Sequence, residues 1–470
     1  MSPRPPAYLV GAAVLASVSL LAPTASATSS GPKTEVISVN TAGHVGDNIS
    51  GRSSRPVVSS DGAVVAFDSI AKNLVSADTN RADDVFVRDR ATGQTERISV
   101  SSSGQQGNSD SSRPDISGDG RYVAFDSTAD NLVAGDTNRT FDVFVRDRVA
   151  GTTTLVSKAF DGGPANESSS SPVISRDGRF VAFTSNATNL TRKPGNGGIY
   201  LRNLRTGRTT VVSLRLDGSA ASAAYPALGA HGRYVAFASF VSDVVPGDTN
   251  GTFDIFVRDR RLRTTTRVSV ASDGTEAVDG DSLQPSISSD GQRVVFTSDA
   301  ANLVADDTNG ARDIFVHDLA TGTTERASVA SDGTQSDGQS NGPGIRGSAT
   351  FGPDISANGR YVTFDSIATN LVAHDTNTCT YGSGGASFTV PGQCPDIFVR
   401  DLRTDRTTRV SVDPDGQQAD DASTDPSISG DGSSVVFFTT ARFVAADTNT
   451  CAPFFSGHAG ACPDIYLHAR

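Results

Sequence analysis

The residues best suited to chemistry form the pattern Asp-x-Asn-x-x-x-Asp. It stands at Asp78/Asn80/Asp84, Asp136/Asn138/Asp142, Asp248/Asn250/Asp254 and Asp307/Asn309/Asp313. Interrupted versions are Asp375/Asn377/Asp396 and Asp447/Asn449/Asp464, and one copy is replaced by Lys193-Pro194-Gly195-Asn196. Hard cations such as Ca²⁺ take several oxygens from carboxylates, amides and carbonyls, and one such loop could supply three. The competing reading is an Asx-type turn, in which Asp and Asn bond their own backbone and the last Asp starts a strand. Recurrence favours the turn, because a fold signature repeats where a unique site does not. No glycine holds the fixed loop position that an EF-hand needs. Ca²⁺ is thus the one candidate cofactor, and loop architecture is the simpler expectation.

Other chemical motifs are weaker. Gly338-Gln339-Ser340-Asn341-Gly342 fits Gly-x-Ser-x-Gly, but that nucleophile motif works only on a strand-to-helix turn beneath an oxyanion hole. Here it lies in a polar linker with no helical pattern behind it. The six histidines, His44, His231, His317, His374, His458 and His468, share no ligand spacing and read as unrelated in the repeat. The glycines sit in hairpin turns rather than in a phosphate-binding loop. No catalytic constellation emerges.

The four cysteines are Cys379, Cys394, Cys451 and Cys462. Arg4, an apolar run from Tyr8 to Ala22 and the small residues Ala25-Ser26-Ala27 have the layout of a secretory signal peptide over residues 1–27. The run is short for a membrane span, so the mature chain, 28–470, is expected outside the cell with no membrane insertion. In that oxidising setting disulfides are the default. Each cysteine pair brackets an insertion whose ends must meet, so local bridges Cys379–Cys394 and Cys451–Cys462 are expected. The net charge of −12 argues against nucleic acid, which requires clustered Lys and Arg.

The elements that position these residues come from a repeat. The phrase Arg113-Pro114-Asp115-Ile116-Ser117-Gly118-Asp119-Gly120-Arg121-Tyr122-Val123-Ala124-Phe125 recurs, with drift, from Arg55, Ser171, Tyr225, Gln284, Gly352 and Asp425. A second phrase, Asp142-Val143-Phe144-Val145-Arg146-Asp147, recurs from Asp84, Gly198, Asp254, Asp313, Asp396 and Asp464. A third, Thr265-Thr266-Arg267-Val268-Ser269-Val270, has relatives from Thr34, Thr95, Thr153, Thr209, Thr324 and Thr407. The period of about 55–60 residues suits propeller blades rather than helical repeats. Each repeat reads as four strands: the Pro-x-Ile-Ser piece, a second strand after an Asp-Gly turn, a third after a longer loop, and a fourth after a Thr-Gly turn. The mature chain starts with a lone fourth-strand phrase at Thr34 and ends after a third strand at Asp464. The first strand is therefore expected to complete the last blade, closing a seven-bladed, all-β propeller of four-stranded antiparallel blades and removing the exposed edges.

Ser117-Gly118-Asp119-Gly120-Arg121-Tyr122-Val123-Ala124-Phe125 followed by Asp142-Val143-Phe144-Val145-Arg146-Asp147 resembles the TolB-type (PD40, WD40-like) β-propeller repeat. The resemblance spans nearly the whole mature chain. It departs in blade number, since TolB itself has six blades and an additional amino-terminal domain. What it implies is a binding or scaffold role and no particular reaction, an inference by analogy.

Strand alternation puts the second-to-third loops and the inter-blade linkers on one face. That face carries the linker from Ala330 to Phe351 and both cysteine insertions, where Tyr381, Phe388, Phe454 and Phe455 could form an apolar patch or simply pack the insertions. The functional expectation is a monomeric, secreted, non-catalytic module that binds a protein or cell-envelope ligand through this face. The alternatives are an extracellular enzyme acting on polysaccharide or peptide, and a calcium-stabilised structural propeller.

Overall fold

The computed structural model of the chain describes Met1 and residues 33–51, 54–193, 195, 197–341, 351–377, 379, 381–383, 386–388, 394–445, 447–451 and 460–470. The chain divides into two units, Met1–Gly31 and Pro32–Arg470. Apart from Met1, the expected signal peptide lies outside the described residues. Among the described residues no helix is long and apolar enough to cross a membrane.

The unit Pro32–Arg470 is a seven-bladed β-propeller. Blade 2 shows the plan: Ser111–Ile116, Tyr122–Ser127, Asp142–Asp147 and Thr152–Leu155, each antiparallel to the next. Blades 1, 3, 4, 5 and 6 follow it from Val57, Ser169, Ala224, Ser282 and Asp354. Blade 7 consists of Ser423–Ile428, Ser434–Thr439, Asp464–Ala469 and the amino-terminal strand Lys33–Val36, which pairs Thr34 with His468 and Val36 with Tyr466. Small two-stranded ribbons, such as Tyr381–Ser383 with Ala386–Phe388, decorate the cysteine insertions.

Burial on both faces explains the near-continuous apolar second and third strands. Phe125 and Phe144 stand opposite each other with ring centroids 5.7 Å apart, and both are fully buried. Equivalent aromatic pairs stack in blades 1, 3, 4, 5 and 6. In blade 7 Phe443 instead inserts edge-on between Phe437 and Tyr466. The apolar side chains gather into seven clusters, each shared by two neighbouring blades. The cluster between blades 7 and 1 brings Ile37 and Ile465 onto Val65 and Phe86. Burying one such side chain stabilises by about 1.5–3 kcal/mol.

The first strands touch one another around the ring, blade 7 against blade 1 included, so they surround the axis. In blades 2, 3, 4, 5 and 7 they are longer than the Pro-x-Ile-Ser pieces suggested, because each continues through a bulge at the proline, whereas in blades 1 and 6 the strand is the two residues Val57–Val58 and Asp354–Ile355. Proline has no N–H for the ladder and is tolerated where pairing is interrupted. The residue before it takes a left-handed backbone: Arg113 (φ 50), Ser171 (53), Tyr225 (53), Gln284 (54) and Asp425 (57).

At the opposite, turn face the innermost hairpins are laced together by backbone bonds. Ser60 N–H donates to Gly118 O, Gly118 to Arg176 O, Ala230 to Ser289 O, Ser289 to Ala357 O, Ala357 to Gly430 O, and Asp431 to Ser60 O, at 2.9–3.1 Å. Six of the seven junctions are bonded in this way. Between blades 3 and 4 no such bond joins Arg176 and Ala230 among the described residues. Glycine is needed at 118, where a Cβ would stand 2.7 Å from Ser60 Oγ.

Candidate functional site

Each Asp-x-Asn loop ends where the third strand begins, and the structure brings its residues together. In blade 1 Asn80 donates to Asp84 Oδ2 (3.1 Å) and to the Gly107 carbonyl of the next linker (3.0 Å), while its own oxygen accepts Ala82 N–H. Asn138, Asn250 and Asn309 do the same with Asp142, Asp254 and Asp313, and with Ala165, Ala277 and Ser336. Asn377 and Asn449 reach Asp396 and Asp464 across their interrupting insertions. The other oxygen of the strand-starting Asp accepts a serine hydroxyl from the fourth strand, as in Ser99 to Asp84 (2.5 Å). Each loop thus ties its own blade to the next linker.

The sequence pattern missed a cation that belongs to this cluster. Arg97 lies 3.1 Å from Asp84 and 3.5 Å from Asp78, with its side chain 9% exposed. Arg267, Arg326 and Arg409 occupy the same place beside Asp248/Asp254, Asp307/Asp313 and Asp375/Asp396. Gln106 also donates to Asp78 (3.0 Å). In these four blades a guanidinium occupies the position that a metal would need for charge balance. Blade 2 has Leu155 there, and blade 7 has Val36. Desolvation, and then the Asp142 charge, push Asp136 up to about 6. Burial holds Asp464 up to about 8, against the opposing bond from Ser38. Among the loops, Asp136/Asn138/Asp142 and Asp447/Asn449/Asp464 lack the fourth-strand arginine, and in the second Asp447 accepts the Tyr466 hydroxyl (2.7 Å) while Asp464 accepts Ser38 and Asn449.

The axis carries a second set of groups. Asp126 accepts Arg113 Nη1 (3.1 Å), Ser112 Oγ (2.9 Å) and, from the neighbouring blade, Ser171 N–H (3.0 Å). Asp425 accepts Phe351 N–H (3.0 Å) across the junction of blades 6 and 7. Burial, and then the nearby Asp425, hold Asp365 well above the carboxylate range. Further along, Asp115 accepts Ile174 N–H (2.6 Å), and Asp354 accepts the hydroxyls of Ser286 and Ser427 (2.7 and 3.0 Å). Arg176 closes the turn-face end: from blade 3 it reaches Ser60 of blade 1 (2.9 Å), and a Cβ on Gly430 of blade 7 would stand 2.5 Å from its Nη1. The axis is therefore stoppered at the turn face, and the pre-proline residues lie toward the loop face. Their non-repetition was visible in the sequence, but nothing there showed that they share an axis.

Cys379 and Cys394 form a disulfide with Cα atoms 4.8 Å apart, and Cys462 is also disulfide-bonded. The side chain of Cys451 and all of Phe454, Phe455 and His458 lie outside the described residues, as do the side chains of Tyr381 and Phe388. Ser340 is fully buried and donates to Ser366 Oγ (3.1 Å). The same pair recurs as Ser111/Ser127 and Ser169/Ser185, so Ser340 is a repeat residue holding the first strand to the second. The histidines need a correction. His317 and His468 share one repeat position, the one held by Arg88 in blade 1, and each ring Nδ1 meets a fourth-strand threonine hydroxyl at 2.9 Å, Thr324 and Thr34. The register of the third strand, not a ligand set, relates them.

No protein-family model matches the chain, and no curated protein matches it. Solved structures similar to it include a putative TolB from Agrobacterium tumefaciens, at 15% identity over 67% of this chain and 83% of that one, with a TM-score of 0.38. An oligogalacturonate lyase in complex with manganese is 14% identical over 90% of each chain, with a TM-score of 0.49. The β-propeller domain of the Trilobed protease from Pyrococcus furiosus is 11% identical over 82% of this chain and 90% of that one, with a TM-score of 0.47. Proteins named as enzymes thus stand beside one named TolB, and these likenesses do not decide whether this chain is catalytic.

Proposed function

We propose that the protein is an exported, monomeric, non-catalytic propeller that binds a protein or cell-envelope partner through its loop face, at the mouth of the axis. One observation carries this reading. The first-strand proline stands in all seven copies of the repeat, yet the strained position before it bears Arg113, Ser171, Tyr225, Gln284 and Asp425 in different blades. Left-handed non-glycine residues cost of order 1–3 kcal/mol each and concentrate where a ligand is met. An asymmetric set on a symmetric scaffold suits one oriented partner. The axial carboxylates support binding over catalysis, because Asp126, Asp115 and Asp354 already accept backbone and hydroxyl donors. Export is supported by the apolar run Tyr8–Ala22 before a small-residue cleavage site and by the disulfide.

The test is capture of envelope components from the producing cell by the purified mature protein and by an Arg113→Ala/Tyr225→Ala variant. The variant should stay folded, melting lower by no more than the loss of the Arg113–Asp126 pair, yet lose the captured partner. Equal capture sinks the axial reading, and product release from a polysaccharide or peptide panel sinks the non-catalytic one.

A further inference from the structure

The outer strand of a blade has one unpaired edge, and the linker from the preceding blade covers it. In blades 1, 2, 5 and 6 the cover is a reciprocal clamp. The hydroxyls of Thr41, Ser102, Ser272 and Ser331 accept the backbone N–H of Thr95, Thr153, Thr324 and Thr407 at 2.9–3.2 Å. Those threonine hydroxyls in turn donate to the carbonyls of Val39, Val100, Val270 and Val329. Blade 7 keeps the second half, Thr34 to Val412, with Pro414 at the hydroxyl position. Blades 3 and 4 keep neither half among the described residues. There the hydroxyl residue is replaced by Phe160 and Leu216, which are 56% and 62% exposed. Among the described residues no linker group takes up the Thr209 N–H, and the Thr209 hydroxyl accepts Arg202 Nη1 instead of donating to a linker carbonyl.

Blade 3, whose outer strand is Thr209–Val211, is also the blade without the Asp-x-Asn loop. A cleft of about 1040 Å³ runs from the linker at Phe160 along this strand to the linker at Asp217. Its cations are Lys158, Arg192, Lys193, Arg202 and Arg208, against Asp161 and Asp217. Only four lysines occur in a chain of net charge −12, and two of them are here. Arg192 lies over the Phe160 ring, 5.0 Å from its centroid. Arg88, Arg146 and Arg400 donate to the clamping linker's carbonyls, whereas Arg202, at the same repeat position, is held by the Thr209 hydroxyl (3.0 Å).

We propose that this cleft is a peptide-docking site, in which an extended acidic segment of a partner protein adds as a strand to the open edge of blade 3. The edge supplies main-chain hydrogen bonds, and the flanking groups read alternate side chains, as in other strand-addition complexes. The cation excess selects carboxylates, and Phe160 receives an apolar residue at one end. The cleft runs along the outer edge of blade 3, from the second-to-third loop at Arg192 to the turn at Gly207 and Arg208, and the inference rests on the protein having a protein partner and names the chemistry of that partner.

The test uses the mature protein and a fluorescein-labelled ten-residue peptide alternating Glu and Val with one terminal Phe, read by anisotropy. Phe160→Ser installs the residue type that clamps the other blades, so it should melt no lower than the parent and bind the peptide at least tenfold more weakly. Lys158→Glu/Lys193→Glu should also lose binding, and a Lys/Val peptide of the same pattern should not bind. Full binding by the serine variant, or preference for a sulfated oligosaccharide of equal charge, overturns strand addition. Arg113→Ala/Tyr225→Ala should bind the peptide normally. Loss of peptide binding with envelope capture intact would refute the cleft alone, whereas the reverse would refute the axial reading alone.

Discussion

Ser38 Oγ donates to Asp464 Oδ1 at 2.5 Å, across a separation of 426 residues. It is the bond that Ser99, Ser157, Ser269, Ser328 and Ser411 make locally with the Asp of their own blade. The ring is therefore latched by a bond of the same kind that holds each blade. Ser38→Ala leaves the Asp464 Oδ1 oxygen without its donor and should cost about 1–3 kcal/mol. Deleting residues 28–39 should do far more, exposing the whole edge of Asp464–Ala469. Thermal melting of both variants checks this, and parent-like midpoints would refute the latch.

Arg97→Ala strips the counterion from Asp78 and Asp84 and should destabilise by about 3–5 kcal/mol, the cost of an orphaned buried charge. With guanidinium as the resident cation, the parent should melt at the same temperature in millimolar Ca²⁺ and in chelator. A bound ion at one hundred times its dissociation constant would instead add about 2.7 kcal/mol per site. Calorimetry under both conditions separates the outcomes. A calcium shift abolished by Asp136→Asn would locate the site in blade 2.

Asp136 also predicts a pH dependence. Its folded value is raised from 3.8 to about 6, first by desolvation and then by Asp142 and Asp130. The folded state holds this proton where the unfolded chain has released it, so stability declines as pH rises between about 4 and 6. Asp136→Asn removes that decline. The variant should match the parent below about pH 4 and melt higher at pH 7.5. Parallel melting curves across the range would contradict the shift.

The Cys379–Cys394 disulfide closes a loop with a sequence separation of 15, which the chain-entropy model values at about 3 kcal/mol. Non-reducing peptide mapping should recover Cys379 linked to Cys394 and Cys451 linked to Cys462. Cys379→Ser/Cys394→Ser should lower the midpoint while leaving the far blades protected from hydrogen exchange. Peptides crossing between the two insertions would overturn the local pairing.

Much of this was legible in the residues. Repetition of the Asp-Gly turns, the Asp-x-Phe-Val-Arg strands and the Thr-Thr-x-Arg strands determined the blade, because each is a local preference of backbone and side chain repeated along the chain. The fourth-strand phrase at Thr34 marked the closure, and it pairs with Asp464–Ala469 because an unpaired edge takes the strand that fits it. The Asp-x-Asn spacing marked loops that tie blade to linker.

Tertiary structure decided what depends on distance across strands. Arg97 and Asp78 come from different phrases, and only hairpin register sets them 3.5 Å apart, as it sets an arginine beside the loop carboxylates in blades 1, 4, 5 and 6. His317 and His468 are equivalent only once strands are aligned by their hydrogen bonds. Arg113, Tyr225 and Asp425 read as drift in a repeat until the bulges and the ring carry them to one axis. The replacement of Ser102 and Ser272 by Phe160 and Leu216 also passes for drift along the chain. Its meaning is a missing clamp on a neighbouring blade's edge, and an edge exists only when the sheets have formed.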